Sequence, residues 1–234
     1  MRLTARAQDR ADLSPQDRAT MLTLMRRCYE GVDAGAFARA LEAKSRVVVV
    51  RAPGGDLVGF STLAVFDFLD SGAPARAIFS GDTVIAPEAW GSPAFAFAWV
   101  REAARIARLA PTPLYWLLIV KGHRTFRFLP AFTRRFAPHW EDEDARLLAL
   151  RDDLARVRFG ARYDAARGVL RPGPSRERLT AALAEPSARE AARIDVRFFL
   201  ARNPGWREGE ELVCLCPLAP DNLRPTTLRL FEAA

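Results

Sequence analysis

The chain has 234 residues, half of them hydrophobic, and its 35 basic and 28 acidic residues give a net charge of +7. This composition excludes a mainly disordered chain and is sufficient for the core of one large domain. No apolar run approaches the roughly 20 residues that cross a bilayer, so we expect no membrane span. The excess positive charge favours an anionic partner, but charge alone does not choose among nucleic acid, a membrane surface, a phosphate-bearing cofactor and an acidic protein.

The cysteine and histidine content argues against a disulfide framework and against a structural zinc site. The cysteines are Cys28, Cys214 and Cys216, no C-x-x-C spacing occurs, and the histidines are His123 and His139. The basic N-terminus has no apolar block behind it, which a secretory signal requires. We therefore expect a reduced, cytoplasmic protein without a metal.

The first half of the sequence predicts helices followed by a β-hairpin and a further strand. Ser14, Pro15 and Asp17 are typical of a helix start, with a capping Ser, Pro at the first helical position and an acid three residues after the cap. The residue patterns that follow predict this helix, a second helix over 37–44, and strands over Arg46–Arg51, 57–68 and 76–86.

A strand–helix–strand pattern follows the hairpin. Segment 94–109 has apolar residues at helical spacing, and Leu114–Val120 is apolar on both faces, as expected for a central strand. A helix between two strands implies a parallel, right-handed crossover. We therefore predict that Leu114–Val120 is almost wholly buried and lies parallel to segment 76–86.

The C-terminal half predicts mainly helices and then a pair of strands. The predicted helices cover 125–135, 141–158 and 175–192, and the predicted strands cover 195–201 and Glu211–Pro217. No internal repeat or low-complexity linker divides the sequence. We expect one α/β domain over 1–234, with a mixed central sheet flanked by helices and a helical insertion at 141–192.

Two loops are expected at the same edge of the predicted sheet. Loop 86–93 follows the third strand, and loop 121–125 follows the apolar strand Leu114–Val120. In an α/β sheet, ligands gather beyond the carboxyl ends of parallel strands, where helix N-termini provide backbone amides. This topology predicts a ligand site at these loops without the help of any motif.

The order of the predicted elements resembles the GCN5-related acyltransferase (GNAT) superfamily over residues 21–136. The resemblance implies that 78–86 and Leu114–Val120 are the strands that splay apart and hold the pantetheine arm of an acyl donor. The phosphate loop of the family usually reads R/Q-x-x-G-x-G/A and opens the long helix. Gly91 matches one glycine of that pattern, whereas Pro93 and Phe95 occupy its other small-residue positions.

Some members of this superfamily take longer acyl chains from acyl carrier protein, including acyl-homoserine-lactone synthases and N-acyl amino acid synthases. Their looser phosphate loops and basic docking faces are similar to features of this chain. Residues 121–140 include no acidic residue and contain these cations: Lys121, Arg124, Arg127, Arg134 and Arg135. Such a patch fits an acidic carrier protein or the phosphates of CoA; the alternative is a solvated helix face.

The polar segment Ser80-Gly81-Asp82-Thr83 interrupts the third strand, where Gly often marks a bulge or a close ligand approach. Asp82 either orients or deprotonates an amine beside the donor, or it satisfies backbone amides at the bulge. His123 has the intrinsic pKa for proton transfer, although its loop also serves as a turn before a helix.

Together with the resemblance, these patterns give one expected role to each candidate residue. The expected catalytic residues are Asp82 and His123. The expected donor-binding residues are Val84, Ile85, Trp90, Gly91, Ser92, Lys121 and Arg124. The expected substrate-binding residues are Ser80, Thr83 and Tyr115.

The sequence predicts an acyltransferase that moves an acyl group from a phosphopantetheine thioester, on CoA or acyl carrier protein, to a small amine. The thioester is a donor substrate, and we expect no permanently bound cofactor. The alternative is a noncatalytic GNAT-like module that binds a ligand or a protein. The altered glycine loop favours that alternative, as do Phe126 and Phe128, because the family often has a Tyr on this helix. Nucleic-acid binding ranks last because only charge supports it.

Overall fold

The computed structural model describes residues 2–234. From the N-terminus its elements are β1 (Thr4–Asp9), α1 (Pro15–Cys28), β2 (Tyr29–Glu30), α2 (Ala34–Glu42), β3 (Arg46–Arg51), β4 (Leu57–Asp70), β5 (Ala73–Ile85), α3 (Ala94–Arg108) and β6 (Leu114–Val120). The chain continues with α4 (His123–Phe126), α5 (Phe128–Phe132), α6 (Ala145–Phe159), β7 (Tyr163–Asp164), β8 (Val169–Leu170), β9 (Arg178–Leu179), α7 (Ala181–Ala184), α8 (Ala188–Ala191), α9 (Ile194–Arg202), β10 (Glu211–Pro217) and α10 (Pro225–Glu232).

These elements form two compact units. The first contains residues 2–28, Val32–Leu114 and Pro225–Ala234, and the second contains Tyr29–Gly31 and Tyr115–Arg224. The predicted fold class, α/β with a mixed sheet flanked by helices, is confirmed. Within residues 2–234, each helix is too short or too polar to span a membrane.

The first unit is built on antiparallel strands in the order β1-β3-β4-β5. Val47, Val48, Val49 and Val50 of β3 are all buried, which requires cover on both faces because successive side chains of a strand point to opposite sides. Helix α3 packs on β1 and β3, and α1 packs on β4 and β5. The Ser14 hydroxyl accepts a hydrogen bond from the Asp17 amide at 3.0 Å, so the predicted start of α1 is confirmed.

Strands β4 and β5 form a long hairpin whose turn residues are Ser71 and Gly72. Both have positive φ, +52° and +85°, as a two-residue turn that follows the strand twist requires. Gly meets this demand without strain, whereas Ser71 adopts a conformation uncommon for a residue with a side chain. The two strands come closer to the turn than the predicted 57–68 and 76–86, since β4 runs on to Asp70 and β5 starts at Ala73.

The second unit contains antiparallel strands in the order β6-β10-β8-β7 and the separate short pair β2-β9. The predicted burial of Leu114–Val120 is confirmed: apart from the half-buried Ile119, every residue of β6 is buried. Its parallel alignment with segment 76–86 stays a prediction. Phe126 is fully buried and has these aromatic neighbours: Phe136, Trp140, Phe198 and Phe199.

Two secondary-structure predictions in the C-terminal half are wrong. Segment 195–201 is not a strand but part of helix α9, and the Asp195 carboxylate at its start accepts the Val196 amide at 2.9 Å. The pair of C-terminal strands therefore reduces to β10, which pairs with β6 and β8. Segment 175–192 is not one helix, because Pro186 separates α7 from α8, and β9 precedes both.

The predicted helix over 125–135 also ends early. It breaks into α4 and α5 and stops at Phe132, after which Thr133 is extended. The remaining elements, which the sequence did not predict, are short or lie near the termini: β1, β2, β7, β8 and α10.

Glu102 is the buried anion of the first unit. Its side chain is 4% exposed and pairs with Arg46 of β3 at 2.7 Å and with Arg105 of α3 at 2.7 Å. Burial raises the pKa of Glu102, but the hydrogen bonds from Arg105 and Arg46 outweigh it and hold that pKa below its ordinary value. The carboxylate thus fastens α3 to the sheet.

We predict that Glu102→Ala lowers the free energy of unfolding by about 1.5–3 kcal/mol, because it leaves the half-buried Arg46 with only the exposed Asp9 as a partner. Urea denaturation checks this value. Glu42→Ala, which removes an exposed partner of Arg10 and Arg18, is the control and should change stability by no more than about 1 kcal/mol. Equal effects of the two substitutions would contradict the assignment.

Candidate functional site

A β-bulge distorts β5 at the polar segment that the sequence singled out. Ser61 pairs with Thr83 and Leu63 pairs with Ser80, so Thr62 alone stands opposite Gly81 and Asp82. The extra residue of a bulge is left out of the ladder of backbone hydrogen bonds. The bulge that Gly81 predicted is therefore present.

Asp82 lies at this bulge and is half-buried. Among residues 2–234, no hydrogen bond or ion pair engages its carboxylate. The side chain therefore does not cap amides at the bulge, which was the structural alternative for Asp82. A half-buried carboxylate without a structural partner is available for binding or proton transfer.

The other predicted residues of β5 have structural contacts. Ser80 is buried, and its hydroxyl accepts a hydrogen bond from the Trp99 indole at 3.3 Å. Thr83 shares a hydrogen bond of 2.7 Å with the buried Ser61 hydroxyl. Val84 is buried and Ile85 is half-buried. The segment thus combines packed positions with the partner-free Asp82.

Lys44 and Thr62 flank the bulge, and the sequence patterns did not single them out as site residues. A Cβ placed on Gly81 would lie 2.7 Å from the Lys44 ammonium nitrogen and 2.9 Å from the Thr62 hydroxyl oxygen. Both side chains are buried, and the Thr62 hydroxyl makes no hydrogen bond in the described chain. The signal for Lys44 was its rarity, since this chain has only two lysines.

Loop 86–93 leads from β5 into α3. The Trp90 indole donates to the Ile85 carbonyl at 2.8 Å, and the Ser92 hydroxyl accepts from the Ala94 amide at 3.3 Å. Gly91 has φ +82°, and a Cβ at this position would have no atom within 4 Å, so open space lies beside it. The first turn of α3 carries no acidic residue, which favours an anion at this helix N-terminus.

Lys121 lies in the second unit at the end of β6, and its ammonium is held between two carboxylates. Its nitrogen is 2.5 Å from Glu177 and 2.9 Å from Glu211, and it lies over the Tyr29 ring. Burial lowers the pKa of Lys121, but the charges of Glu211 and Glu177 outweigh it and keep that pKa raised. The ammonium therefore has a structural role in this unit.

His123 and Arg124 share one acidic partner, Glu190. His123 is 1% exposed, with its Nε2 atom 3.4 Å from Glu190, while Arg124 reaches Glu190 at 3.3 Å and donates to the Leu183 carbonyl at 2.6 Å. Burial and the Arg124 charge lower the pKa of His123, so the ring is neutral near pH 7. A buried neutral imidazole is poorly placed to exchange protons with solvent.

The cationic interval 121–140 is largely neutralised by acidic residues from further along the chain. Besides the partners of Lys121 and Arg124, Asp195 lies 3.7 Å from Arg127, and Asp221 lies 2.8 Å from Arg135. Arg134 donates to the backbone carbonyls of residues 221 and 223. Much of the positive charge that the sequence suggested for this patch is therefore paired within the chain, and the binding of a carrier protein or of CoA phosphates by the patch stays a prediction.

The structure brings the predicted site residues together in two sets. In the first unit, loop 86–93 follows directly on the strand that carries Ser80, Asp82, Thr83, Val84 and Ile85. In the second unit, Lys121, His123 and Arg124 follow β6, on which Tyr115 is buried opposite Pro217 of β10.

No family model matches the sequence. No curated protein matches it either. The solved structures similar to this chain include a probable N-acyltransferase of unknown function from Enterococcus faecalis, which is 14% identical over 58% of this chain and 33% of that chain, with a TM-score of 0.43. This chain thus spans about a third of the length of that protein.

Two further similar structures are those of acetyltransferases. A GNAT family N-acetyltransferase from Escherichia coli, in complex with CoA, is 16% identical over 56% of this chain and 70% of that chain, with a TM-score of 0.39. An acetyltransferase from Trypanosoma brucei is 17% identical over 61% of this chain and 99% of that chain, with a TM-score of 0.41.

We predict that Lys121→Met lowers the free energy of unfolding by about 3–5 kcal/mol, because it leaves Glu177 and Glu211 largely buried without their cation. Chemical denaturation measures the loss. The double variant Lys121→Met/Glu211→Gln should regain part of it, since one of the two stranded charges is then absent. A Lys121→Met protein as stable as the wild type would contradict the structural role of the ammonium.

Proposed function

We propose that the chain transfers an acyl group from a phosphopantetheine thioester to a small amine, with the bulge at Gly81 and Asp82 as the reacting centre. The observation that carries this proposal is the partner-free carboxylate of Asp82 beside backbone groups that leave the strand ladder. The GNAT resemblance of the sequence supports the choice of reaction. The donor is acyl-CoA or an acyl carrier protein.

In this reaction the amine nitrogen attacks the thioester carbonyl carbon, a C–N bond forms and the C–S bond breaks. Backbone N–H groups released at the bulge stabilise the negative charge that develops on the carbonyl oxygen. Asp82 accepts the proton from the amine nitrogen and returns it to the leaving thiolate. The products are an amide and the free pantetheine thiol, so atoms and charge balance.

The N-terminus of α3 supports the binding of a phosphate-bearing donor. Its first turn lacks acidic residues, and the nearby Glu88 carboxylate is engaged by Arg27 in two hydrogen bonds of 2.7 and 2.8 Å. The Lys44 ammonium adds positive charge beside the bulge. The resemblance assigns Trp90, Gly91 and Ser92 to the donor phosphates, and the open space beside Gly91 is compatible with that role.

A noncatalytic ligand-binding module is the second candidate. The family often has a Tyr on the helix after strand β6, but this chain has Phe126 and Phe128 there. Phenylalanine has no hydroxyl, so neither residue can act as a general acid. A GNAT-like fold without that general acid either uses another proton donor or only binds. Product formation separates the two candidates.

The first experiment incubates the full chain with acetyl-CoA, octanoyl-CoA or octanoyl-acyl carrier protein and a mixture of amino acids and polyamines. Mass spectrometry detects the N-acyl product, and a thiol reagent measures the released pantetheine. Product from either donor class supports the proposal and identifies the donor. Donor binding without turnover would support the noncatalytic module instead.

With an active donor and acceptor in hand, we predict that Asp82→Asn lowers kcat by about 10²–10⁴-fold, because it removes the proton acceptor while keeping the side-chain volume. The matched control is Asp67→Asn on β4, whose carboxylate is exposed and paired with Arg76. Both variants should keep the wild-type melting temperature to within a few degrees. A folded Asp82→Asn protein with full activity would refute the assignment.

A further inference from the structure

An open groove of about 690 Å³ lies within the second unit and shares no residue with the proposed reacting centre. Its volume falls in the range of small-molecule sites, roughly 300–1,000 Å³. Cationic and apolar side chains line it together. Those that matter here are Arg124, Arg127, Phe128, Trp140, Arg193 and Ile194, with Asp195 as the acidic member.

Arg127 is the cation of this groove with unused hydrogen-bonding capacity. Its Nε atom is buried and makes no hydrogen bond in the described chain, and the nearest carboxylate oxygen, on Asp195, is 3.7 Å away. That carboxylate is already engaged by Arg193 in two hydrogen bonds of 3.0 and 2.9 Å, and also by the Val196 amide. Asp195 therefore attracts Arg127 by its charge but accepts no hydrogen bond from its Nε atom.

Because its Nε atom makes no hydrogen bond, the Arg127 guanidinium favours the binding of an external anion. Three arginines and one carboxylate line the groove, and Glu190, which is outside the lining, pairs with Arg124. Carboxylate and phosphate groups match the planar fork of an arginine and form charge-assisted hydrogen bonds with it. The Arg127 guanidinium, whose Nε donor is unsatisfied, is thus complementary to either group.

The rest of the lining is apolar and partly rigid. Ile194, the first residue of α9, is 49% exposed. The Trp140 ring stacks on His139 at 4.5 Å and meets the edge of Phe136 at 5.4 Å, so its orientation is fixed. An apolar body lying against Trp140 and Ile194 would remove both from water.

We propose that this groove binds an amphipathic anion, with a carboxylate or phosphate head on Arg127 and an aliphatic body against Trp140 and Ile194. Neither the anionic head nor the aliphatic body alone matches the lining. An inorganic anion would leave Trp140 and Ile194 exposed to water, and a neutral hydrocarbon would give the Arg127 donor no acceptor. This binding site does not depend on acyl transfer.

The test is isothermal titration calorimetry of the full chain with octanoate, octyl phosphate, octan-1-ol and inorganic phosphate. We expect saturable one-to-one binding of octanoate, octyl phosphate or both. Octan-1-ol and inorganic phosphate should bind at least about tenfold more weakly, since each lacks one half of the recognition. A preference for octanoate or for octyl phosphate identifies the natural head group as a carboxylate or a phosphate.

Two variants and a control connect the binding to the groove. Arg127→Met keeps the apolar stem and removes the guanidinium, and Asp195 retains Arg193, so we expect a folded protein with at least about tenfold weaker binding. Ile194→Asp places a negative charge at the start of α9, where it stabilises the helix but repels the ligand. The control is Arg135→Met, which removes an exposed arginine outside the groove.

The variants give results that either support or overturn the inference. Arg135→Met should bind like the wild type, while Arg127→Met and Ile194→Asp lose affinity at unchanged melting temperature. If neither amphiphile binds saturably, or if both groove variants bind as tightly as the wild type, the inference is wrong. Equal affinity for octan-1-ol and octanoate would also overturn it, because the head group would then contribute nothing.

Discussion

The second unit depends on the pairing of cations that are removed from water. Lys121 is the clearest case, because its side chain is only 17% exposed and its ammonium lies between Glu177 and Glu211. A charge in that position is costly unless carboxylates accompany it into the interior. Glu177 lies 56 residues further along the chain, just before β9, and Glu211 begins β10. The ammonium therefore fixes where two distant segments must pass.

The same constraint explains why a strongly basic sequence gives few unopposed cations in this unit. Glu190 and Asp221 neutralise arginines that lie well before them in the sequence. Electrostatic attraction for a partner depends on the charge that remains after such internal pairing. The pairing is incomplete at Arg127, and this is where the arrangement of charges favours a ligand.

Local sequence patterns were sufficient to predict much of the first unit and the main strands of the second. The valines of β3, the amphipathic helix α3 and the continuous apolar strand β6 each carry their own periodicity, so no distant contact is needed to recognise them. Segment 195–201 was misassigned because Phe198, Phe199 and Leu200 resemble a buried strand. Its helical start depends on the Asp195 carboxylate, whose bonds to Arg193 and the Val196 amide are not visible in an apolar pattern.

The candidate site also has features that local sequence predicts and features that depend on distant segments. Gly81 predicted the bulge because Gly in a strand has few other reasons to occur, and Trp90, Gly91 and Ser92 followed from their place before a long helix. The roles of Lys121 and His123 could not be read locally. Their partners are Glu177, Glu211 and Glu190, all contributed by segments far along the chain. Lys44 lies just after α2, and Thr62 lies on β4. The two side chains come together beside Gly81 only when the chain folds, so the sequence patterns could not reveal it.

Within the proposed acyl transfer, the contrast between Asp82 and His123 is the reason for choosing the carboxylate as the proton acceptor. His123 is 1% exposed and near Glu190, so moving a proton on or off its ring disturbs a packed interior. Asp82 is half-buried on a distorted strand, and nothing in residues 2–234 pairs with its charge. The buried carboxylates Glu102, Asp195 and Glu211 each hold a cation in place, whereas the half-buried carboxylate of Asp82 has no such structural role and is left for contact with a ligand.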